Sequence, residues 1–189
     1  GQDLLLVASS ILRTLDYIDV YSLTRLRIAA LVWMVLVAIG LALICWRLVR
    51  GRSSGWLINA NALAAAVTLS LASVVDLGAI AAAWNVRHAR EVGGRGAPLD
   101  LCYLRGLGPS ALLPLIELEK RSLDTAFRDR VRDVRSDLLE ALRINQDHWS
   151  SWSWRGARRL EAARAELGPR PPAPAPTLYG RDCDGSPGK

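Results

Sequence analysis

From Ile28 to Trp46 the chain runs nineteen residues without a charge, bracketed by Arg27 and Arg47. At ~1.5 Å of rise per residue, such a helix reaches the ~30 Å thickness of a bilayer's hydrocarbon core. A second charge-free run, Trp56 to Val75, follows a short Arg-rich turn. These runs predict an all-α integral membrane protein. Two transmembrane helices, about 28–46 and 56–76, precede a small helical extramembrane domain and a Pro-rich tail.

Composition divides the chain in the same way. Of 189 residues, 51% are apolar, and these concentrate before Trp84; the remainder is rich in Arg, Glu and Asp. Residues 1–92 read as a membrane region, with interfacial segments at 3–27 and 77–92 flanking the spans. Gly93-Gly94-Arg95-Gly96-Ala97-Pro98 reads as a flexible joint and domain boundary. Residues 99–167 then form the helical domain and 168–189 a Pro/Gly-rich tail, with polyproline character around 171–176. The net charge of +6 does not point to nucleic acid, because basic and acidic residues interleave and a basic excess also suits anionic headgroups. No secretory signal is visible. The chain begins with Gly1, and we read it as the C-terminal piece of a larger multi-pass protein.

Within the membrane region, Tyr17, Asp19 and Tyr21 fall just outside the first span, at the depth where Tyr commonly sits. Trp46 and Trp56 flank the turn and mark one interface. Ala62, Ala66, Ser70 and Ser73 share a helix face, expected to pack closely on the first span or on further helices. Asp76 ends the second run and is expected at the membrane edge, with Leu77–His88 lying along the surface or dipping back against other helices. An intramembrane, ion-coupling Asp76 is the competing reading. Asp19, Asp76 and Asn85 are the candidate polar membrane-edge residues.

In the C-terminal part, Leu99–Leu107 predicts a short helix, and Pro109 opens another running to about Ser122. Asp124 is a predicted N-cap, followed by an apolar stripe of Phe127, Val131, Val134, Leu138 and Leu142. Arg128, Asp129, Arg132, Asp133 and Arg135 are assigned off that stripe, with Asp124 pairing to Arg128. The last helix is expected over Trp149–Leu167, with Trp149, Trp152, Gly156, Leu160, Ala163 and Leu167 as its stripe. The run Trp149-Ser150-Ser151-Trp152-Ser153-Trp154-Arg155 reads first as core packing, with Trp154 stacked on Arg158. Contact with a lipid interface is the second reading and nucleic-acid stacking the last.

No catalytic, cofactor or metal site is expected. The two histidines, His88 and His148, have no metal spacing, and no Cys-x-x-Cys occurs. Neither a phosphate-binding loop nor a Gly-x-Ser-x-Gly elbow is present. Glu117 and Glu119 diverge on a helix and are expected on the solvated surface. Cys45 in the first span reads as a hydrophobe. Cys102 and Cys183 are a candidate disulfide that would tether the tail and require an oxidising compartment. That predicts an outward-facing C-terminal domain. Arg47, Arg50 and Arg52 in the turn favour a cytosolic turn, whereas Arg25, Arg27, Arg87 and Arg90 crowd the opposite side.

Three stretches carry a family resemblance. They are Tyr17-Ile18-Asp19-Val20-Tyr21-Ser22-Leu23-Thr24-Arg25-Leu26-Arg27 before the first span, Ala82-Ala83-Trp84-Asn85, and Leu99-Asp100-Leu101-Cys102-Tyr103-Leu104 closed by Leu107-Gly108. Over roughly residues 1–115 the chain resembles the C-terminal part of a bacterial multi-pass membrane protein family of unknown function (domain of unknown function 4173-type, related to 4153-type). That family usually has Gly at the position of Ser22 and Tyr at that of Trp84. The resemblance implies further spans upstream and a bacterial inner-membrane address, and supplies no activity.

Together these readings predict a non-enzymatic membrane component, a sensor or scaffold whose outer domain meets a partner. A transporter or channel subunit is the alternative. Expected partners are the lipid bilayer and either other transmembrane helices or a protein; nucleic acid is not among them.

Overall fold

The computed structural model describes residues 2–94, 96–173 and 183; the side chains of Leu4 and of residues 15–21 lie outside that description. Helix is the sole regular structure among the described residues. The chain divides into two compact units, Gly1–Leu77 and Gly78–Lys189.

The first unit holds three helices: α1 (Gln2–Tyr21), α2 (Arg25–Arg50) and α3 (Ser54–Val74). α2 packs on both α1 and α3. Between α1 and α2 the chain reverses through Ser22, whose φ of 76° lies in the left-handed region that glycine adopts freely. The Ser22 carbonyl accepts a hydrogen bond from the Arg27 guanidinium, and Thr24 caps α2. α2 ends in a left-handed Gly51, and the Ser53 side chain accepts from Trp56 N to start α3. The turn is braced by Arg47 donating to Ser54 Oγ at 2.8 Å and by Arg50 stacked 4.8 Å from the Trp46 ring.

α2 and α3 are long and apolar enough to cross a membrane, and neither has a buried residue. Helices that are apolar all round suit a hydrocarbon solvent rather than a water-soluble surface. Two hydroxyls within α3 bond back to their own helix, Thr68 to Ala64 O and Ser73 to Leu69 O, so these two need no water. α3 comes close to α2 at Gly40, where an added Cβ would stand 3.2 Å from Asn61 Oδ1. The half-covered face of α3 runs through Leu57, Asn61, Ala64 and Thr68. Ala62, Ala66, Ser70 and Ser73 are exposed, so this small-residue stripe is not the seam with α2.

The second unit begins with α4 (Leu77–His88), which buries Gly78, Ala81, Ala82, Asn85 and Val86. Of the two expectations for this segment, lying along the surface or packing against other helices, α4 follows the second, because its small side chains allow close packing. Residues 93–98 are not a loose joint. Gly94 N and Gly96 N donate to Ala89 O and His88 O at 2.9 Å each, folding the loop back on the end of α4.

α5 (Leu101–Gly106) starts at an Asp100 cap, and a 3-10 turn through Pro109 leads into α6 (Leu112–Arg121). α7 (Thr125–Asp147) is capped by Asp124, as its sequence position suggests, and α8 (Trp154–Leu167) by Ser153. α6, α7 and α8 pack mutually into a three-helix core around Leu112, Leu115, Leu118, Val131, Val134, Leu142, Leu160 and Ala163. The whole α7 stripe of Phe127, Val131, Val134, Leu138 and Leu142 is buried.

α8 starts later than the expected Trp149. Trp149 is 93% exposed, Trp152 54% and Trp154 64%, so the tryptophans are not core. The reason is local: the turn at 148–152 and the Ser153 cap end the approach to α8 before its inward face begins at Gly156.

Candidate functional site

The polar residues singled out at the membrane edge lie on three different elements. Asp19 is in α1, and its side chain lies outside the described residues. Asp76 occupies the break between α3 and α4, immediately ahead of α4. Asn85 is buried in α4. Cys102 and Cys183, by contrast, are joined in a disulfide with Cα atoms 5.1 Å apart.

That disulfide ties the tail to α5 and borders a small cavity of about 230 Å³ lined by Glu91, Asp100, Phe127 and Arg130. Glu91 Oε1 accepts from Leu99 N at 3.1 Å, while Oε2 is shut from solvent with no hydrogen-bond partner among the described residues.

A charged cluster lies inside the helical unit, where the sequence reading expected solvated surface. Arg135 is 1% exposed. Its Nε donates to Glu119 Oε2 at 2.7 Å, and its Nη2 donates to the Pro172 carbonyl at 2.7 Å. Arg132 Nε donates to Glu119 Oε1 at 2.8 Å, and Arg132 also bonds Asp129. Glu119 is thus buried between two guanidinium groups instead of lying on the surface, while Glu117 pairs with Arg121 one turn on. The signal was present in the spacing. Arg135 is four residues after Val131 and three before Leu138, and Glu119 is four after Leu115, so both fall on buried faces. Residue type obscured that: charged residues are rarely buried unless paired, and pairing is a tertiary fact. Arg128 reaches back to the Ser122 carbonyl with Nε and Nη2 at 3.1 and 2.8 Å.

On the flank of α7, Arg105 bonds Asp137 at 3.0 Å. Asp133, one turn earlier, has its carboxyl pushed above the ordinary value by burial and then by the Asp137 charge, with Arg105 opposing. Across the bundle, Lys120 donates to Glu166 at 2.5 Å; that hydrogen bond, then the ammonium charge, holds the Glu166 carboxyl below the ordinary range.

No group of three or more His, Cys, Asp or Glu side chains that could hold a metal comes together among the described residues. His88 stacks on Trp84 with ring centres 4.1 Å apart and bonds the Trp84 carbonyl through Nδ1. These charged groups pair with one another or with backbone, an arrangement that orders helices and positions a tail.

Residues 1–118 match the model of a family described as a domain of unknown function (DUF4153). Neither the curated proteins nor the solved structures contain a match to the chain. The match ends within α6, so α7, α8 and the tryptophan-bearing turn lie beyond it. With more than half of its length matched, the chain belongs to this family of unknown function.

Proposed function

We propose that the chain is a non-enzymatic component of a bacterial inner membrane, a sensor or scaffold. Its disulfide-closed helical unit stands on the extracytoplasmic side and contacts a protein partner. The bacterial address and the kinship with the 4173-type family are part of this proposal. The observation that carries it is the Cys102–Cys183 disulfide in a chain with two apolar helices. Such a bond persists in oxidising compartments and is rare in the cytosol. Two spans put both ends of the chain on one side. A cytosolic turn holding Arg47, Arg50 and Arg52 agrees with the positive-inside rule.

Cysteine labelling in intact cells tests the orientation. Cys102 and Cys183 should resist an impermeant maleimide until a reductant is added, then label from outside. Labelling only after cell lysis, with or without reductant, refutes the outward placement. Cross-linking in intact cells followed by detergent pull-down should recover a discrete protein; recovery of none under any condition counts against the partner role.

A transporter or channel subunit is the second reading, favoured by Asp76 at the break that follows the apolar helix α3, a pattern that ion-coupling sites use. Unchanged uptake and growth in Asp76→Asn and Asp76→Ala would remove that support.

A further inference from the structure

The turn between α7 and α8 is rigid without help from its aromatic rings. Ser151 N and Trp152 N donate to His148 O, Ser151 Oγ to Asn145 O, and Gly156 N to Ser153 Oγ. A Cβ added at Gly156 would fall 2.3 Å from Gln146 Nε2, so the Gln146 side chain lies against Gly156 behind the turn. The rings of Trp149, Trp152 and Trp154 therefore project from a braced end instead of folding inward. Ile144 is exposed beside them.

Three exposed tryptophans within six residues are an unusual apolar load for a surface in water. Their surroundings are basic. Arg143, Arg155, Arg158 and Arg159 stand against Asp147 alone in residues 143–159, and Arg158 lies 4.8 Å over the Trp154 ring. Serines separate the rings, so no continuous greasy face exists for a helix groove. Trp favours the headgroup level of a bilayer, where its ring is apolar and its N–H is wet, and Arg complements anionic headgroups. Covalent linkage to two candidate spans would keep such a surface at high effective concentration near a bilayer.

We propose that the 144–158 end of the α7–α8 hairpin docks into the headgroup region of a bilayer carrying anionic phospholipid. The proximity argument rests on reading α2 and α3 as spans; the docking chemistry does not.

The test uses the whole chain with Trp33, Trp46, Trp56 and Trp84 replaced by Phe, so that emission comes only from the tip. It is placed in nanodiscs whose lipids carry bromine near the glycerol end of the acyl chains. With phosphatidylglycerol present, tip emission should shift blue and lose about half or more of its intensity, as for interface-seated rings, and less in phosphatidylcholine alone. A sister variant keeping only Trp33 and Trp46 reports on the first span. If the sister is quenched while the tip emission stays unquenched and open to aqueous acrylamide, docking is overturned and the spans stand. If neither is quenched, both fall. Shielding of the tip only on adding a single-stranded oligonucleotide also overturns the proposal. Formation of the Cys102–Cys183 bond in both variants verifies the fold.

Discussion

Removing the charge of Glu119 should open the helical unit far more than removing the whole cluster. Glu119 is the shared anion for Arg132 and Arg135, at 2.8 and 2.7 Å, and Arg135 is shielded from water. In Glu119→Gln the amide oxygen can still accept from one arginine, but the amide NH2 meets the other guanidinium donor to donor, and a buried guanidinium loses its counter-charge. Breaking a buried pair from one side costs about 3–5 kcal/mol, because an uncompensated charge is left behind. At about 1.4 kcal/mol per tenfold, the lower bound is roughly a hundredfold rise in the local opening constant. In the double variant Glu119→Leu with Arg135→Met no charge is stranded, and stability should return to within about 1–2 kcal/mol of the parent. What remains is chiefly the lost hydrogen bond to Pro172 O, since Arg132 keeps Asp129. Hydrogen exchange of α6 and α7 amides in the full chain, held in nanodiscs with the disulfide intact, reads these constants. Exchange in Glu119→Gln within about threefold of the parent would refute the reasoning. So would a double variant less protected than the single.

Other outcomes follow from geometry already given. Asp133→Asn should stabilise the helical unit at neutral pH by about 0.5 kcal/mol or less, the range of a screened charge. The Asp133 carboxyl is raised in the fold, so its ionisation weakens the fold progressively as pH rises from 3.8 to the raised value; parent and variant should converge below 3.8 in urea melts. Ser22→Gly should slow amide exchange across residues 22–28 by several-fold, because a left-handed L-residue costs about 1 kcal/mol that glycine avoids. Gly94→Ala should loosen the 93–98 loop by about 1–3 kcal/mol, since its Cβ would stand 2.3 Å from the His88 carbonyl oxygen; unprotected Gly94 and Gly96 amides would report it. Lys120→Gln should return the Glu166 carboxyl toward its ordinary titration, seen as a shift of its carboxyl carbon resonance with pH.

Periodicity carried the readings that rest on one helix at a time. The two apolar runs, the Asp124 cap and the α7 stripe each depend on spacing alone, and each is found in the fold. Pairing in three dimensions was harder to read. Glu119 and Arg135 look like surface residues until α6 and α7 are set side by side. The tryptophans look like core because aromatic residues usually are, whereas a tight turn and a serine cap turn them outward. The Gly-rich 93–98 stretch reads as a hinge, yet Gly94 and Gly96 serve close approach to the His88 carbonyl. The resemblance led to a glycine at the position of Ser22, and the left-handed backbone there gives the physical reason.

The thiol bond between α5 and the tail also imposes a schedule. Cys183 follows every helix that the bond encloses, so chain elongation must pass all of α6, α7 and α8 before Cys102 can find its mate. Any packing that the bundle achieves before Cys183 emerges is achieved without the bond. In that interval Cys102, which is exposed, is open to whatever oxidant or wrong thiol it meets.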